Sequence, residues 1–519
     1  MTERYSMGIE FGSTRIKAVL IDESMAVVAV GSHTWENQLV DGIWSYALED
    51  VWVGVQDAYA RLASQFKQAT GNQLTKVDSI GLSAMMHGYL AFDCDGGLLV
   101  PFRTWRNTTT AQASEELTEE LGFTIPQRWS IAHLYQAVLN GEPHVPRVDF
   151  LTTLAGYVHW KLTGVKVLGV GDASGVFPID AAHQWDQARL AATQARLDAH
   201  SAGIKLASIL PEVRDAGEMA GVLTAEGALL LDPSGALTAG IPFCPPEGDA
   251  GTGMVATNAV APRTGNISAG TSIFAMIVLE RELAHLHPEI DMVTTPAGDP
   301  VAMVHCNNGA SEIDAWAHVF AQFAAKTGST LDNAQVFQAL FGSALDGEKD
   351  GGGLLAYNYL AGEPITGLAE GRPLILRTPD SHLNLSNLMR TLIMSSFGTL
   401  SLGMRILYSE NVEVDSMFAH GGLFATKGVA QSLMAAALST PVSVGETAAE
   451  GGAWGMAVLA AYASDSRGLN LNDYLSTVVF ADAEIETVIP DPADVEGYKR
   501  FLEAYEKGLA VLRTAVDAS

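Results

Sequence analysis

The chain of 519 residues is 48% hydrophobic and 17% charged and carries a formal net charge of −29. That length predicts two cores rather than one, and the composition excludes a disordered chain. The acidity argues against nucleic acid as a partner, because phosphate contacts need clustered Lys and Arg and no such cluster stands out. Any anionic ligand must then be held by backbone N–H groups, helix N-termini or a bound cation.

Cys94, Cys244 and Cys306 lie far apart with no C-x-x-C spacing. This argues against a disulfide framework or a zinc site and fits a reducing cytoplasm. The opening MTERYSMGIE has no apolar core of a signal peptide. No stretch supplies the ~20 apolar residues that span a bilayer. The expectation is a soluble cytoplasmic protein without a membrane partner.

In chain order, Met7–Phe11 and Ile16–Ile21 read as paired strands, and Glu49–Thr70 has the apolar spacing of an amphipathic helix. VDSIGLSAMMHGYLAFD reads as strand, loop, strand, and LTTLAGYVHWKLTG belongs to a helix-rich middle. The Pro/Gly-rich stretch Pro242–Gly253 is the expected hinge. After it, GNISAGTSIFAMIVLE repeats the opening design, with an apolar strand on each side of Gly270-Thr271-Ser272. A strand, a glycine pair, a helix, a strand and a second helix follow. Ala481–Glu496 and a last amphipathic helix read as a tail packed on the surface. Alternating strands and helices predict an α/β fold.

Gly12-Ser13-Thr14 sits in the first turn. Glycine permits a tight backbone, and the two hydroxyls add donors that suit phosphate oxygens. An ordinary hairpin would read the same, but the repeat at Gly270–Ser272 favours a phosphate cradle in each half. No G-x-x-x-x-G-K-[ST] occurs, which removes a P-loop reading, and neither H-E-x-x-H nor G-x-S-x-G occurs, which counts against zinc-hydrolase and α/β-hydrolase readings. In EGDAGTG, Asp249 reads equally as a helix cap and as a carboxylate that takes a proton from an attacking hydroxyl. Met86 and His87 end a strand and read alone as core and structural residues. Trp105, Arg106 and Asn107 form a polar loop, either plain surface or a sugar contact. Asp172 and Ser174 read as a short turn between strands.

Taken together and in this order, these segments resemble the FGGY family of carbohydrate kinases, within the actin–hexokinase–Hsp70 superfamily. The resemblance covers about Met7 to Tyr462. GIEFGSTRIK is similar to the family's first phosphate motif and SAGTS to its second. MMHG, TWRN and GDASG resemble sugar-site segments of the xylulose kinases, and GDAG resembles the loop with the catalytic base. AHGGLFATKGVAQSLMAAALSTPV resembles the adenosine motif, and EGGAWGMAVLA the closing connecting helix. Three departures stand out. Glu10 occupies an Asp position, Ala84-Met85 replaces a Gly-Gln, and Asn107 replaces an Asp.

The resemblance implies two ribonuclease H-like domains flanking a central cleft. Residues 1–253 would bind sugar, 254–480 would bind ATP, and 481–519 would form the acidic segment and last helix. It implies a kinase acting on a terminal hydroxyl of a ketopentose, D-xylulose first and L-ribulose next, ahead of glycerol or gluconate. Asp249 would be the catalytic base, with Met86, His87, Trp105 and Asn107 also on the sugar. Gly12, Ser13, Thr14, Lys17, Gly270, Thr271, Ser272, Gly421 and Gly422 would hold ATP, and Glu10 would serve Mg²⁺. A homodimer is left open. A non-catalytic sugar sensor or a sugar-independent ATPase is the reading from another class, and a base at Asp249 argues against it.

Overall fold

The computed structural model describes residues 4–445 and 451–518, so Met1, Thr2, Glu3 and Glu450 of the motifs quoted above lie outside the described residues. The chain divides into two compact units. The first is Met1–Val260, Asp291–Val301 and Thr447–Ala483, and the second is Ala261–Ile290, Ala302–Glu446 and Glu484–Ser519.

In the first unit, β1 (Tyr5–Phe11), β2 (Arg15–Asp22) and β3 (Val27–Thr34) form an antiparallel meander. After α1 (Leu48–Thr70), β4 (Ser79–Ala84) joins β1 in parallel. The helix α2 (Leu154–Thr163) comes later, and then β5 (Glu247–Gly248) joins β4 in parallel, giving the order β5-β4-β1-β2-β3. Buried Val51, Val55, Tyr59, Leu62 and Phe66 give α1 one apolar stripe, and Gly71 ends it in a left-handed cap.

The register shows that the sheet is covered on both faces. Gly8 pairs with Val19 and Val19 with Val30, so Gly31 points to the opposite side. A Cβ at Gly31 would collide with the Ala58 carbonyl of α1, and one at Gly8 with the Ala453 carbonyl of the helix Gly451–Ser464. Both glycines permit close helix contact. The helix Gly451–Ser464 is apolar nearly all round and is correspondingly buried.

The expected hinge at Pro242–Gly253 is not a linker. Glu247–Gly248 is β5, paired with Ser83–Ala84, and Asp249–Ala256 is a helix, α3, inside the first unit. The prolines lie before the strand, so the paired amides remain available to the sheet.

The second unit repeats the scheme. β6 (Thr264–Ala269) and β7 (Ile273–Val278) form a hairpin, and β8 (Pro300–Cys306) extends it. The helix α4 (Ser311–Lys326) follows. Then β9 (Ser416–His420) pairs in parallel with β6, and β10 (Val442–Gly445) in parallel with β9 after α5 (Val429–Leu438). β8-β7-β6-β9-β10 therefore repeats the 3-2-1-4-5 order of the first unit. The expected surface tail is part of this unit. β11 (Ile485–Val488) pairs antiparallel with β10, and α6 (Pro492–Ala518) buries Tyr498, Phe501, Leu502, Tyr505, Leu509 and Leu512. Tyr505 stacks on Tyr357 at 4.7 Å, and the Tyr357 hydroxyl donates to the Tyr505 carbonyl at 2.7 Å.

Candidate active site

The Gly12–Thr14 turn joins β1 to β2, and each of its carbonyls is taken by a residue the sequence reading did not name. Trp35 Nε1 donates to Gly12 at 2.7 Å, the Tyr46 hydroxyl to Ser13 at 2.7 Å, and the Trp35 amide to Thr14 at 3.2 Å. Trp35 and Tyr46 stack on each other at 4.2 Å. With its acceptors occupied, the turn presents donors. The Ser13 and Thr14 amides and hydroxyls have no hydrogen-bond partner among the described residues. This is the donor-rich concavity that suits an anion.

The Gly270–Ser272 turn of the second unit is built alike with different partners. Gly309 donates to the Thr271 carbonyl at 2.7 Å, and Ala310 to that of Gly270 at 2.9 Å. Asn358 Nδ2 donates to the Asn308 and Gly309 carbonyls at 3.1 and 2.7 Å and steadies the clamping segment. Gly421, at φ 109°, follows β9, and a Cβ there would strike the Ala269 carbonyl, so only glycine suits the position. The second unit thus brings Gly421 and exposed Gly422 to the end of β6, beside the turn.

In the first unit, Asp249 opens α3, with Gly248 as its N-cap. Its Oδ1 accepts from the Met86 amide at 3.4 Å. Burial pushes this carboxyl up to about 6, against the pull of the Met86 and Ala250 amides. Gly248, not Asp249, caps α3, and no side chain makes a cap hydrogen bond there, so the helix-cap reading of Asp249 is not met. His87 and Gly88 are consecutive left-handed residues, at φ 67° and 87°. The Arg128 carbonyl accepts from the Gly88 amide at 3.2 Å, and the Ser130 hydroxyl donates to the Gly88 carbonyl at 2.5 Å, which maintains the strain. Burial, reinforced by Arg128, pushes the His87 ring down to about 3, so it is neutral. Its Nδ1 lies 3.0 Å from the Gly175 carbonyl, which requires N–H there and leaves Nε2 an acceptor.

Glu10 pairs across the hairpin with Lys17 and shares the sheet face of Gly8. Burial and the charge of Asp249 raise its carboxyl to about 7, while Lys17 and the Ala453 amide pull it down. Gly452 leaves room for it, since a Cβ there would collide with Glu10 Oε1. Among the described residues no group of three or more His, Cys, Asp or Glu is placed to hold a metal.

Trp105 is exposed, and Arg106 beside it lies 4.1 Å over the Trp44 ring. Asn107 is buried. Its Oδ1 accepts from the Trp44 amide at 2.9 Å, and its Nδ2 donates to the Trp44 and Thr104 carbonyls at 2.9 Å each. Both amide hydrogens therefore hold the loop. Asp172 lies in the short helix Val170–Ala173, with Ser174 as its cap, rather than in a turn between strands. Two further carboxyl-site residues escaped the sequence reading, Glu247 and Thr153. Thr153 caps α2 through the Gly156 amide and donates to Asp172 Oδ2 at 2.6 Å.

No helix among the described residues is long and apolar enough to cross a membrane. A xylulose kinase from Escherichia coli is 25% identical over 284 residues, covering 51% of this chain and 52% of that protein. The chain thus spans about half the length of the curated relatives it matches. A solved xylulose kinase from Rhodospirillum rubrum superposes with a TM-score of 0.80 at 21% identity, covering 98% and 99% of the two chains. A gluconate kinase from Lactobacillus acidophilus does so at 0.81 and 17% identity, covering 100% of both. These likenesses show the two-domain α/β fold. Residues 5–255 match the N-terminal domain, and 265–464 the C-terminal domain, of the FGGY family of carbohydrate kinases, and the chain belongs to that family.

Proposed function

We propose that the protein transfers the γ-phosphoryl group of ATP to a terminal hydroxyl of a ketopentose, D-xylulose first and L-ribulose second. The observation that supports this is Asp249, a carboxyl raised to about 6 and held by the Met86 amide. A base with such a value is largely ionised near neutrality and still accepts a proton well.

In the step proposed, Asp249 takes the proton of the sugar hydroxyl as that oxygen attacks the γ-phosphorus. The bond from phosphorus to the bridging β–γ oxygen breaks, and ADP leaves with the electron pair. Neutral His87 accepts a hydrogen bond at Nε2 from another sugar hydroxyl and orients the ring or chain. Trp105 offers an apolar face to the sugar, while Asn107 shapes the loop that carries it. The free donors of Gly12–Thr14 and Gly270–Ser272, with Lys17, bind phosphate oxygens. Gly421 and Gly422 let the nucleotide approach the backbone.

Glu10 fits a magnesium ion by its chemistry. It is a carboxylate with a second anion acting on it, and magnesium needs only one or two carboxylates when phosphates and water complete its shell. Bound with the nucleotide, the ion would neutralise charge on the phosphate oxygens.

A coupled assay of ADP release on a panel of pentuloses, hexuloses and polyols tests this reading. Turnover on a pentulose is expected. ADP release without sugar, or sugar binding without turnover, would overturn it.

A further inference from the structure

The Gly270–Ser272 turn is held by a stretch with no regular structure of its own. Residues 307–310 join β8 to α4 outside any strand or helix. The Gly309 and Ala310 amides are nonetheless the donors that take the Thr271 and Gly270 carbonyls, at 2.7 and 2.9 Å. The approach is close, since a Cβ at Gly309 would strike the Gly270 carbonyl. The Thr271 and Ser272 amides and hydroxyls have no hydrogen-bond partner among the described residues, so where they point depends on that hold.

The stretch is in turn grafted onto a second segment, 358–363. Asn307 Nδ2 donates to the Gly362 carbonyl at 2.8 Å. Asn308 is buried, and both ends of its side-chain amide bond to the same segment. Its Oδ1 accepts from the Leu360 and Ala361 amides at 2.8 and 2.9 Å. Its Nδ2 donates to the Ala361 carbonyl and to Glu363 Oε2, at 3.1 Å each.

Glu363 is 0% exposed, and no Lys, Arg or His bonds to it among the described residues. A buried carboxyl without a cation is tolerated only where donors meet it. Burial pushes this one up to about 7, against the pull of the Asn308 side chain and the Asn308 and Asn307 amides. A tight loop fixes its backbone. The Glu363 amide donates to the Leu368 carbonyl at 2.7 Å, and its carbonyl accepts from the Leu368 and Thr366 amides at 3.1 and 3.2 Å. With the Glu363 acceptor on one side and two amide donors on the other, the Asn308 side chain has one satisfied orientation.

We propose that Glu363 is a positioning residue for phosphate binding. Through Asn308 it fixes residues 307–310, and through Gly309 and Ala310 it aims the donors of Thr271 and Ser272. This rests on the Gly270–Ser272 turn being a phosphate cradle.

Calorimetric titration of the full-length protein with Mg²⁺ and the ATP analogue AMP-PNP tests it, with wild type beside Glu363→Leu and Glu363→Gln. Leucine fills the volume and removes the acceptor, so affinity should fall roughly three- to tenfold, the scale of one lost hydrogen bond. Glutamine keeps an acceptor for Asn308 and should restore most of the affinity. Asn308→Asp keeps the Oδ1 acceptor and removes the donor that meets Glu363, so it should weaken binding to a similar extent and serves where Glu363→Leu does not fold. Hydrogen exchange of the Gly309 and Ala310 amides gives a readout without nucleotide, faster in Glu363→Leu than in wild type or Glu363→Gln. A lower melting temperature with unchanged AMP-PNP affinity would mark a merely structural role and overturn the proposal, as would glutamine as weak as leucine. A wild type that binds no AMP-PNP would overturn the phosphate reading and the proposal with it, whereas unchanged affinity in Glu363→Leu overturns the proposal alone.

Discussion

The indole N–H of Trp35 donates to the carbonyl of Gly12 at 2.7 Å, across 23 residues of sequence. That bond aims the first turn. With the Gly12 oxygen engaged from behind, the free amides and hydroxyls of Ser13 and Thr14 are left to face a ligand.

Trp35→Phe keeps most of the stacking on Tyr46 but leaves the Gly12 carbonyl without its donor. A fully buried acceptor so orphaned costs about 1–3 kcal/mol, and the partly buried Gly12 carbonyl falls toward the lower end. The expected outcome is a lower thermal midpoint together with a raised KM for ATP and an unchanged KM for sugar. Steady-state kinetics against each substrate, beside a melting curve, checks it.

This relationship also marks what the sequence could show. Gly12-Ser13-Thr14 and Gly270-Thr271-Ser272 were legible because a turn's donors are local to the motif. Their clamps were not, because Trp35, Tyr46 and Gly309 reach the turns only through tertiary folding. Pro242–Gly253 was misread as a hinge because proline and glycine mark linkers and strand edges alike, and pairing of Glu247 with Ser83 is invisible locally. Ile485–Val488 was hidden by its acidic neighbours, and its strand state depends on β10. Asp249 was legible as a carboxylate in a small-residue loop. The surroundings of the buried Asp172 and Glu247 carboxyls were not, since Thr153, Asp172 and Glu247 come from three separate segments.

His87 should act as a neutral acceptor throughout the working range, because burial holds its ring at about 3. The KM for sugar is then expected to show no break attributable to His87 between about pH 5 and 8. His87→Ala should raise that KM, and a lone lost hydrogen bond corresponds to about 0.5–1.5 kcal/mol, or roughly three- to tenfold. The stability sign is separate. With the folded value below the unfolded one, the unfolded chain binds the proton first, so His87 costs stability as pH falls from about 6.5.

Glu10→Gln removes the charge that is proposed to serve magnesium while keeping the side chain's length. More Mg²⁺ should be needed for half-maximal rate, with the KM for sugar little changed. Titrating Mg²⁺ at saturating ATP and sugar reads this, and an unchanged requirement would refute the metal role.

The buried Asp172 and Glu247 carboxyls make stability fall as pH rises. Each binds its proton more tightly in the folded chain than in the unfolded one, so the stabilisation is complete below about pH 4 and is lost toward the raised folded range. Glu247→Gln removes the Glu247 proton. The melting temperature of the variant relative to wild type should therefore move in its favour from about pH 5 to about pH 8. A constant gap would show that no proton is held there.

The most direct test of the central claim is the rate of Asp249→Asn with the best sugar of the panel, measured beside ATP binding by calorimetry. Loss of about 10²- to 10⁴-fold in kcat, with ATP affinity retained, is the expected result for a lost general base. Near-normal turnover in that variant would contradict the account.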